Sequence, residues 1–402
     1  MELIKQNSSN KYGKVIESLD EKELIDLVLT LIRIESHKEV ETEENEIAQH
    51  IYDIFKKEGI STELQEIELH RPNVYGFVGE DTGKTIMLNG HTDTVPALGM
   101  EDAFQPEIKF GRIYGRGALD MKGALAAMMM SLILIKRSGI KLKGKAIFTG
   151  VIDEEKRSQG AEKMADQEYP KADVAIVGEP TNLDIMYGHK GMEWIEITVH
   201  GQSGHGSTPN AGKNAIHIAT DLIMKIRENL IPKLKGRAHH ILGEPTLNIG
   251  KIQGGDDPNV IPGLCKIQLD RRWVPEETIE SMQKDIHELI DEMKVNDPSL
   301  EITTRRMTEA TGTHSPLYTD PNHPFVSDLT EAIKVVSSRK PKYGVFQGWS
   351  DGAHLSRKGT TTLVCGPGEL SLAHSTKESI EIEEIIKAAK IYTYTILKVL
   401  NS

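Results

Sequence analysis

Short apolar segments of strand character alternate with segments of helical spacing in this chain, and that alternation limits the fold more than any other feature. Thr85–Leu88, Lys145–Ile152 and Val174–Val177 are short apolar runs, and a helix is expected from about Lys122 to Ser138, closed by Gly139. Strands and helices in this order build an α/β layer with a largely parallel sheet. A parallel sheet is buried on both faces, so its reactive side chains gather at strand ends. Upstream, Leu24, Ile25, Leu27, Leu31 and Ile34, then Ile47, Ile51 and Ile54, have helical spacing and predict two helices within Glu21–Gly59.

From about Gly188 the texture changes. Alternating strand patterns, Trp194–Val199 and Cys265–Asp270, flank helical stretches near Asn214–Leu230 and Glu277–Met293. The α/β pattern returns after about Thr308, with a strand near Thr361–Cys365 and a closing helix over Ile382–Leu400. A chain of 402 residues exceeds what one hydrophobic core serves. The expectation is a two-domain α/β protein: a mostly parallel domain from 1–187 and 308–402, interrupted by an α+β domain at 188–307.

Composition excludes several classes. With 38% hydrophobic and 27% charged residues the chain is neither disordered nor fibrous. A net charge of −12 without a basic stripe argues against a nucleic-acid partner, because phosphate binding needs clustered Lys and Arg. The longest apolar run, Ala124–Ile135, has twelve residues, short of the roughly 20 a membrane span needs, and reads as a buried helix. Met1–Asn10 lacks the basic start and apolar stretch of a secretory signal, so a cytoplasmic protein is expected. Cys265 and Cys365 lie far apart and outside any CxxC pattern, so any metal must be held by histidines and carboxylates.

Those residue types stand where the sheet should end. The Thr85–Leu88 strand runs into Asn89-Gly-His-Thr-Asp-Thr-Val-Pro96, which puts His91 and Asp93 on a turn; an acid two residues from a histidine can hold its ring in a liganding orientation. Gly115-Arg-Gly-Ala-Leu-Asp-Met-Lys-Gly123 opens a helix with Asp120 as its only acid. Its GxG lacks the third glycine of a dinucleotide fingerprint, and Asp120 would repel a pyrophosphate. Strand Lys145–Ile152 ends in Asp153-Glu-Glu155, strand Val174–Val177 in Gly178-Glu-Pro-Thr181, and the stretch after Thr361–Cys365 supplies His374. Singly each is weak, and a solvated acidic turn is the plain reading of 153–155. Packing does not require four strands to end in His or acid. Two histidines with several carboxylates and no thiolate suit paired zinc, cobalt or manganese, with an acid left over as base.

The stretches GHTDTVP, YGRGALDMKG, DEE, GEPT and GPGELSLAH, in this order over nearly the whole chain, resemble the co-catalytic zinc family of acetylornithine deacetylase, succinyl-diaminopimelate desuccinylase, aminoacylase and glutamate carboxypeptidase. The resemblance implies one metal on His91, Asp120 and Glu179 and another on Asp120, Glu155 and His374, with Asp120 bridging. It implies further that Asp93 orients His91, that Glu154 is the general base, and that the Asp120–Met121 peptide is cis. The inserted domain would be a lid and homodimer interface. Within it Gly201-Gln-Ser-Gly-His-Gly-Ser-Thr-Pro209 resembles the family's histidine loop, so His205 would stabilise the oxyanion of the tetrahedral intermediate, in the active site of the partner subunit. Strand alternation puts Asp270 and Arg272 on one face, which makes Arg272 the choice for a substrate carboxylate against the plainer reading of a surface salt bridge; Asn259 and Gly366 are expected beside the substrate.

The implied substrate is a small N-acyl amino acid or peptide. Deacylase and exopeptidase both break an amide next to a carboxylate, and the GEPT glutamate resembles the deacylase branch. Two other readings stand beside these. Gly348-Trp-Ser-Asp-Gly352 fits the literal nucleophile elbow GxSxG, with Glu369 and His374 following in triad order, although only 50 residues remain after it. The other is a binding protein that keeps the fold without the chemistry, against which all five ligand positions, the base and His205 are filled by competent residues.

Overall fold

The computed structural model describes residues 11–401, and the segment Met1–Asn10, read above for an export signal, lies outside them. The chain divides into two compact units, Met1–Gly188 with Leu317–Ser402, and His189–Pro316.

The larger unit is built on an eight-stranded sheet in the order Ser61–Glu68, Arg71–Gly79, Lys145–Val151, Thr85–His91, Val174–Pro180, Thr361–Gly366, Ile185–Met186, Tyr343–Gly344. Its centre is parallel, Lys145–Val151 to Thr85–His91 to Val174–Pro180 to Thr361–Gly366. Antiparallel strands flank that centre, so the sheet is mixed. Side chains along the central strands point alternately to two cores. Ile86, Leu88, Ala146, Phe148, Ile176 and Leu363 pack with the buried helix Gly123–Ser138 and the closing helix Ile382–Asn401. Met87, Ile147, Ala175, Val177 and Val364 meet Met164 and Leu355 on the other face. The helical span Ala118–Ser138 is long and apolar enough to cross a membrane, yet its apolar window is wholly buried inside the unit, as the sequence reading of 124–135 expected.

The hairpin Ser61–Glu68 and Arg71–Gly79 was not foreseen, because Pro72, Gly76 and Gly79 interrupt its strand pattern. Gly76 has a packing reason: a Cβ there would lie 2.6 Å from the ring of Phe55.

The smaller unit carries an antiparallel four-stranded sheet, Thr246–Gly254, Leu264–Trp273, Gly191–His200, Glu301–Arg306. Ile195, Ile197, Val199, Cys265, Ile267 and Leu269 line one face and pack against Leu222, Ile286 and Ile290 of two helices. The unit ends at Pro316, whereas the sequence pattern placed the return at 308. The reason is local. The strand Glu301–Arg306 pairs with Gly191–His200, and a bridge from Met192 to His314 keeps the following turn with the same sheet.

Candidate metal centre

Parallel strands bring their carboxyl ends to one edge of the sheet, and that edge collects the candidate ligands. His91 ends its strand and is buried; its Nε2 lies 3.1 Å from Oδ1 of Asp120 and 3.8 Å from Oε1 of Glu179. His374 stands in a left-handed backbone conformation at φ 57° after a short turn. Its Nε2 lies 2.9 Å from Oε1 of Glu155 and 3.2 Å from Oδ2 of Asp120. The two oxygens of Asp120 therefore face two different histidines. His91, Asp120 and Glu179 form one group whose ligand atoms all lie within 4.8 Å of one another, and Asp120, Glu155 and His374 form a second. The Asp120–Met121 peptide is cis.

The supports of these side chains are specific. Asp93 accepts main-chain N–H groups from Glu154 (3.1 Å) and Glu155 (3.0 Å), so its carboxylate fixes the acidic turn. The ring of His91 is held mainly by the Asp93 main chain: Nδ1 is 2.9 Å from the Asp93 carbonyl oxygen and 3.4 Å from its carboxylate. Asp93 thus meets the ring of His91 through both its carbonyl and its carboxylate, and the carboxylate engages the turn as well. The turn also explains how adjacent acids diverge. Asp153 takes φ 68°, which bends the chain between the strand and Glu154-Glu155.

Sequence reasoning missed two buried residues beside this edge. Arg116 donates to the carbonyls of Pro96 and Ala97, both at 3.0 Å, and forms an ion pair with Glu378. Glu378 in turn accepts the N–H groups of Leu119 (3.1 Å) and Asp120 (3.2 Å). A guanidinium inside a glycine-rich turn was a signal that an acid must meet it; Glu378 itself sits in no motif. Asp351, in the stretch 349–354 that resembles the family's late loop, is buried and bonded by the hydroxyl of Ser158.

Charge in the cluster is poorly balanced. Burial and then the neighbouring Glu179 push the Glu154 carboxyl well above its usual range, and burial and then Asp120 do the same to Glu179. Burial raises Asp351 to about 7. Hydrogen bonds to Asp120 and Glu155 raise His374 to about 10, and similar bonds to Asp120 and Asp93 outweigh burial in raising His91. Among the described residues no lysine or arginine pairs with Asp120, Glu154, Glu155 or Glu179; the two imidazoles are the ion-pair partners of Asp120, Glu155 and Glu179. Divalent cations fit this donor set of imidazole nitrogen and carboxylate oxygen, since they supply the missing charge at the same atoms.

The remaining expected residues lie elsewhere. His205 and Asn259 are neighbours in the smaller unit, where Gly204–His205 pairs with Val260–Ile261 and the N–H of Gly206 donates to the Asn259 carbonyl at 2.7 Å. The N–H of Ser207 donates to Nδ1 of His205 at 3.2 Å. In the neutral ring the proton therefore sits on Nε2, on an exposed side chain. Arg272 is paired with Asp270 on its own strand at 3.1 Å, the salt bridge that was the plainer reading. Gly366 has both main-chain groups engaged: its N–H donates to Thr181 Oγ1 at 3.1 Å and its carbonyl accepts from Thr181 and Leu183. A Cβ at Gly366 would lie 2.0 Å from the Gly178 carbonyl oxygen, so this glycine lets two strands approach beside Glu179. Ser350 is fully buried, and the Nε2 of His374 faces Glu155 and Asp120, which removes the nucleophile-elbow reading.

Histidines and carboxylates gathered at the ends of parallel strands, with an acid beside them, define a metal-dependent hydrolase. Residues 87–398 match the model of Peptidase family M20/M25/M40, and the chain belongs to that family. An acetylornithine deacetylase of Vibrio campbellii is 30% identical over 86% of this chain and 89% of its own length. A probable succinyl-diaminopimelate desuccinylase of Staphylococcus aureus is 26% identical over 96% and 99%. Among solved structures, a tripeptidase from Staphylococcus aureus matches with a TM-score of 0.77 and 23% identity, covering 96% of this chain and 100% of that one, a likeness of fold. The chain is thus a hydrolase of amide bonds.

Proposed function

We propose that this hydrolase uses two divalent metal ions, zinc or in its place cobalt or manganese, to remove the acyl group from a small N-acyl amino acid. The observation that carries the reading is the sharing of Asp120 between two ligand groups. His91, Asp120 and Glu179 would hold one ion, and Asp120, Glu155 and His374 the other. Bound there, the ions supply a Lewis acid for the amide carbonyl and lower the pKa of water. Glu154 takes the proton of the attacking water and delivers it to the leaving nitrogen, a role that suits an acid beside the ligands and bonded, among the described residues, by no lysine or arginine. His205 donates its Nε2 proton to the oxyanion, and the tautomer imposed by Ser207 supports that role.

We infer further that the smaller unit serves as lid and homodimer interface, so that His205 acts in the partner subunit's site. Arg272 would exchange Asp270 for the substrate carboxylate, with Asn259 beside it. Two free cysteines, both buried, accord with a cytoplasmic setting. The deacylase reading is favoured over an exopeptidase by relatives named as deacylases at 26–30% identity over most of the chain. The test is a screen of N-acetyl, N-succinyl and N-formyl amino acids against dipeptides, with zinc or cobalt added and a chelator control. Turnover of acyl amino acids above dipeptides supports the reading; the reverse order assigns the exopeptidase.

A further inference from the structure

Outside the ligands themselves, the most deeply buried ion pair of the larger unit is Arg116 with Glu378, both fully enclosed. Burying two charges is unfavourable unless each finds its full set of partners, so their partners show what they hold. Arg116 also donates to the carbonyls of Pro96 and Ala97, in the loop that leaves His91 and Asp93. Glu378 uses one oxygen for Arg116 and the other for the N–H groups of Leu119 and Asp120. Its own carbonyl accepts the N–H of Gly115 at 3.3 Å, and the next residue, Ser379, pairs with Tyr114. Glu378 also follows His374 by one turn of chain. One ion pair therefore ties together the segments that carry His91, Asp120 and His374.

We propose that Arg116 and Glu378 are positioning residues for the metal centre, acting through Asp120. The N–H of Asp120 fixes where its side chain leaves the backbone, and that side chain must offer Oδ1 toward His91 and Oδ2 toward His374, at 3.1 and 3.2 Å. A carboxylate aimed at two partners tolerates little rotation. Glu378 sets that aim from the main chain, and Arg116 holds the Glu378 carboxylate in place through their ion pair. The proposal rests on the reading of Asp120 as the shared ligand.

The experiment titrates the apo protein with zinc against a competing chelator and, separately, follows thermal unfolding of the apo form. Glu378→Gln keeps size and one acceptor oxygen but loses the charge that Arg116 requires. Its zinc dissociation constants should rise about 10–100-fold, the usual effect of removing a partner that orients a ligand. Glu378→Asp, which keeps the charge and shortens the reach, should weaken zinc in the same direction and serves if the first variant does not fold. With activity restored by excess zinc, kcat should stay reduced while KM is little changed. A folded Glu378→Gln or Glu378→Asp protein with wild-type zinc affinity and only a lower apo melting temperature overturns the proposal and makes the pair purely structural. Asp120→Ala separates the two claims: if it binds zinc as the wild type does, the ligand reading itself fails; if it loses zinc while the Glu378 variants do not, only the positioning role fails.

Discussion

Replacing Asp93 by alanine removes a carboxylate whose two oxygens each accept a main-chain N–H, from Glu154 at 3.1 Å and Glu155 at 3.0 Å. A hydrogen bond to a charged group contributes about 1.5–3 kcal/mol, so the pair is worth about 3–6 kcal/mol if the freed N–H groups stay dry. Glu154 and Glu155 are half-buried, and water reaching the turn reduces the loss to about 2–3 kcal/mol. At about 2 °C per kcal/mol for a unit of this size, the apo melting midpoint falls by about 4–6 °C. The effect on metal is uneven. The His91 ring keeps its 2.9 Å bond to the carbonyl of residue 93, which alanine retains, while the turn that aims Glu155 is released. Asp93→Ala should therefore weaken the ion at Glu155 and His374 far more than the ion at His91 and Glu179. Stepwise zinc titration with a cobalt spectrum for each step reads this directly. Loss of the His91 ion with the other retained would show that the carboxylate, and not the main chain, orients the ring.

Glu154→Gln should bind metal as the wild type does and lose about 10²–10⁴ in turnover, because the amide accepts no proton; loss of metal content instead makes Glu154 a ligand. His91→Ala and Glu155→Ala should each release one ion and lower the melting temperature of the metal-loaded protein, since a bound ion stabilises the folded state by mass action; elemental analysis after gel filtration gives the count. Gly366→Ala, which puts a Cβ 2.0 Å from the Gly178 carbonyl, should destabilise the fold by about 1–3 kcal/mol in denaturant titration and disturb Glu179. His205→Ala should keep its metals and lose about 10²–10³ in turnover. Mixing it with Glu154→Gln subunits should restore partial activity, and mixed dimers without activity refute the cross-subunit role.

Much of the site was legible because its residues sit at sheet ends, where an apolar run stops and a histidine or acid follows. His91, Glu155, Glu179 and His374 all announce themselves in that way. What supports them was not legible. Glu378 lies 258 residues from Asp120 in sequence, and nothing local marks a glutamate as the acceptor for a distant main-chain N–H. The Asp93 carboxylate was matched to the nearest histidine, and the fold also brings the turn after another strand within its reach, which no local signal marks. Gly366 was expected beside the substrate from the resemblance, whereas the reason a side chain cannot stand there lies in the neighbouring strand and is visible only in the fold. In the fold, the central strands were visible as unbroken apolar runs, while Arg71–Gly79 hid its strand character behind Pro72 and two glycines.

The central claim is that one carboxylate, Asp120, serves two metal ions. Isothermal titration of the apo chain with zinc, wild type beside Asp120→Ala, tests it most directly. The account predicts two equivalents per chain in the wild type and the loss of tight binding at both in Asp120→Ala. A wild type that takes a single ion, or an Asp120→Ala protein that keeps one ion at full affinity, contradicts it.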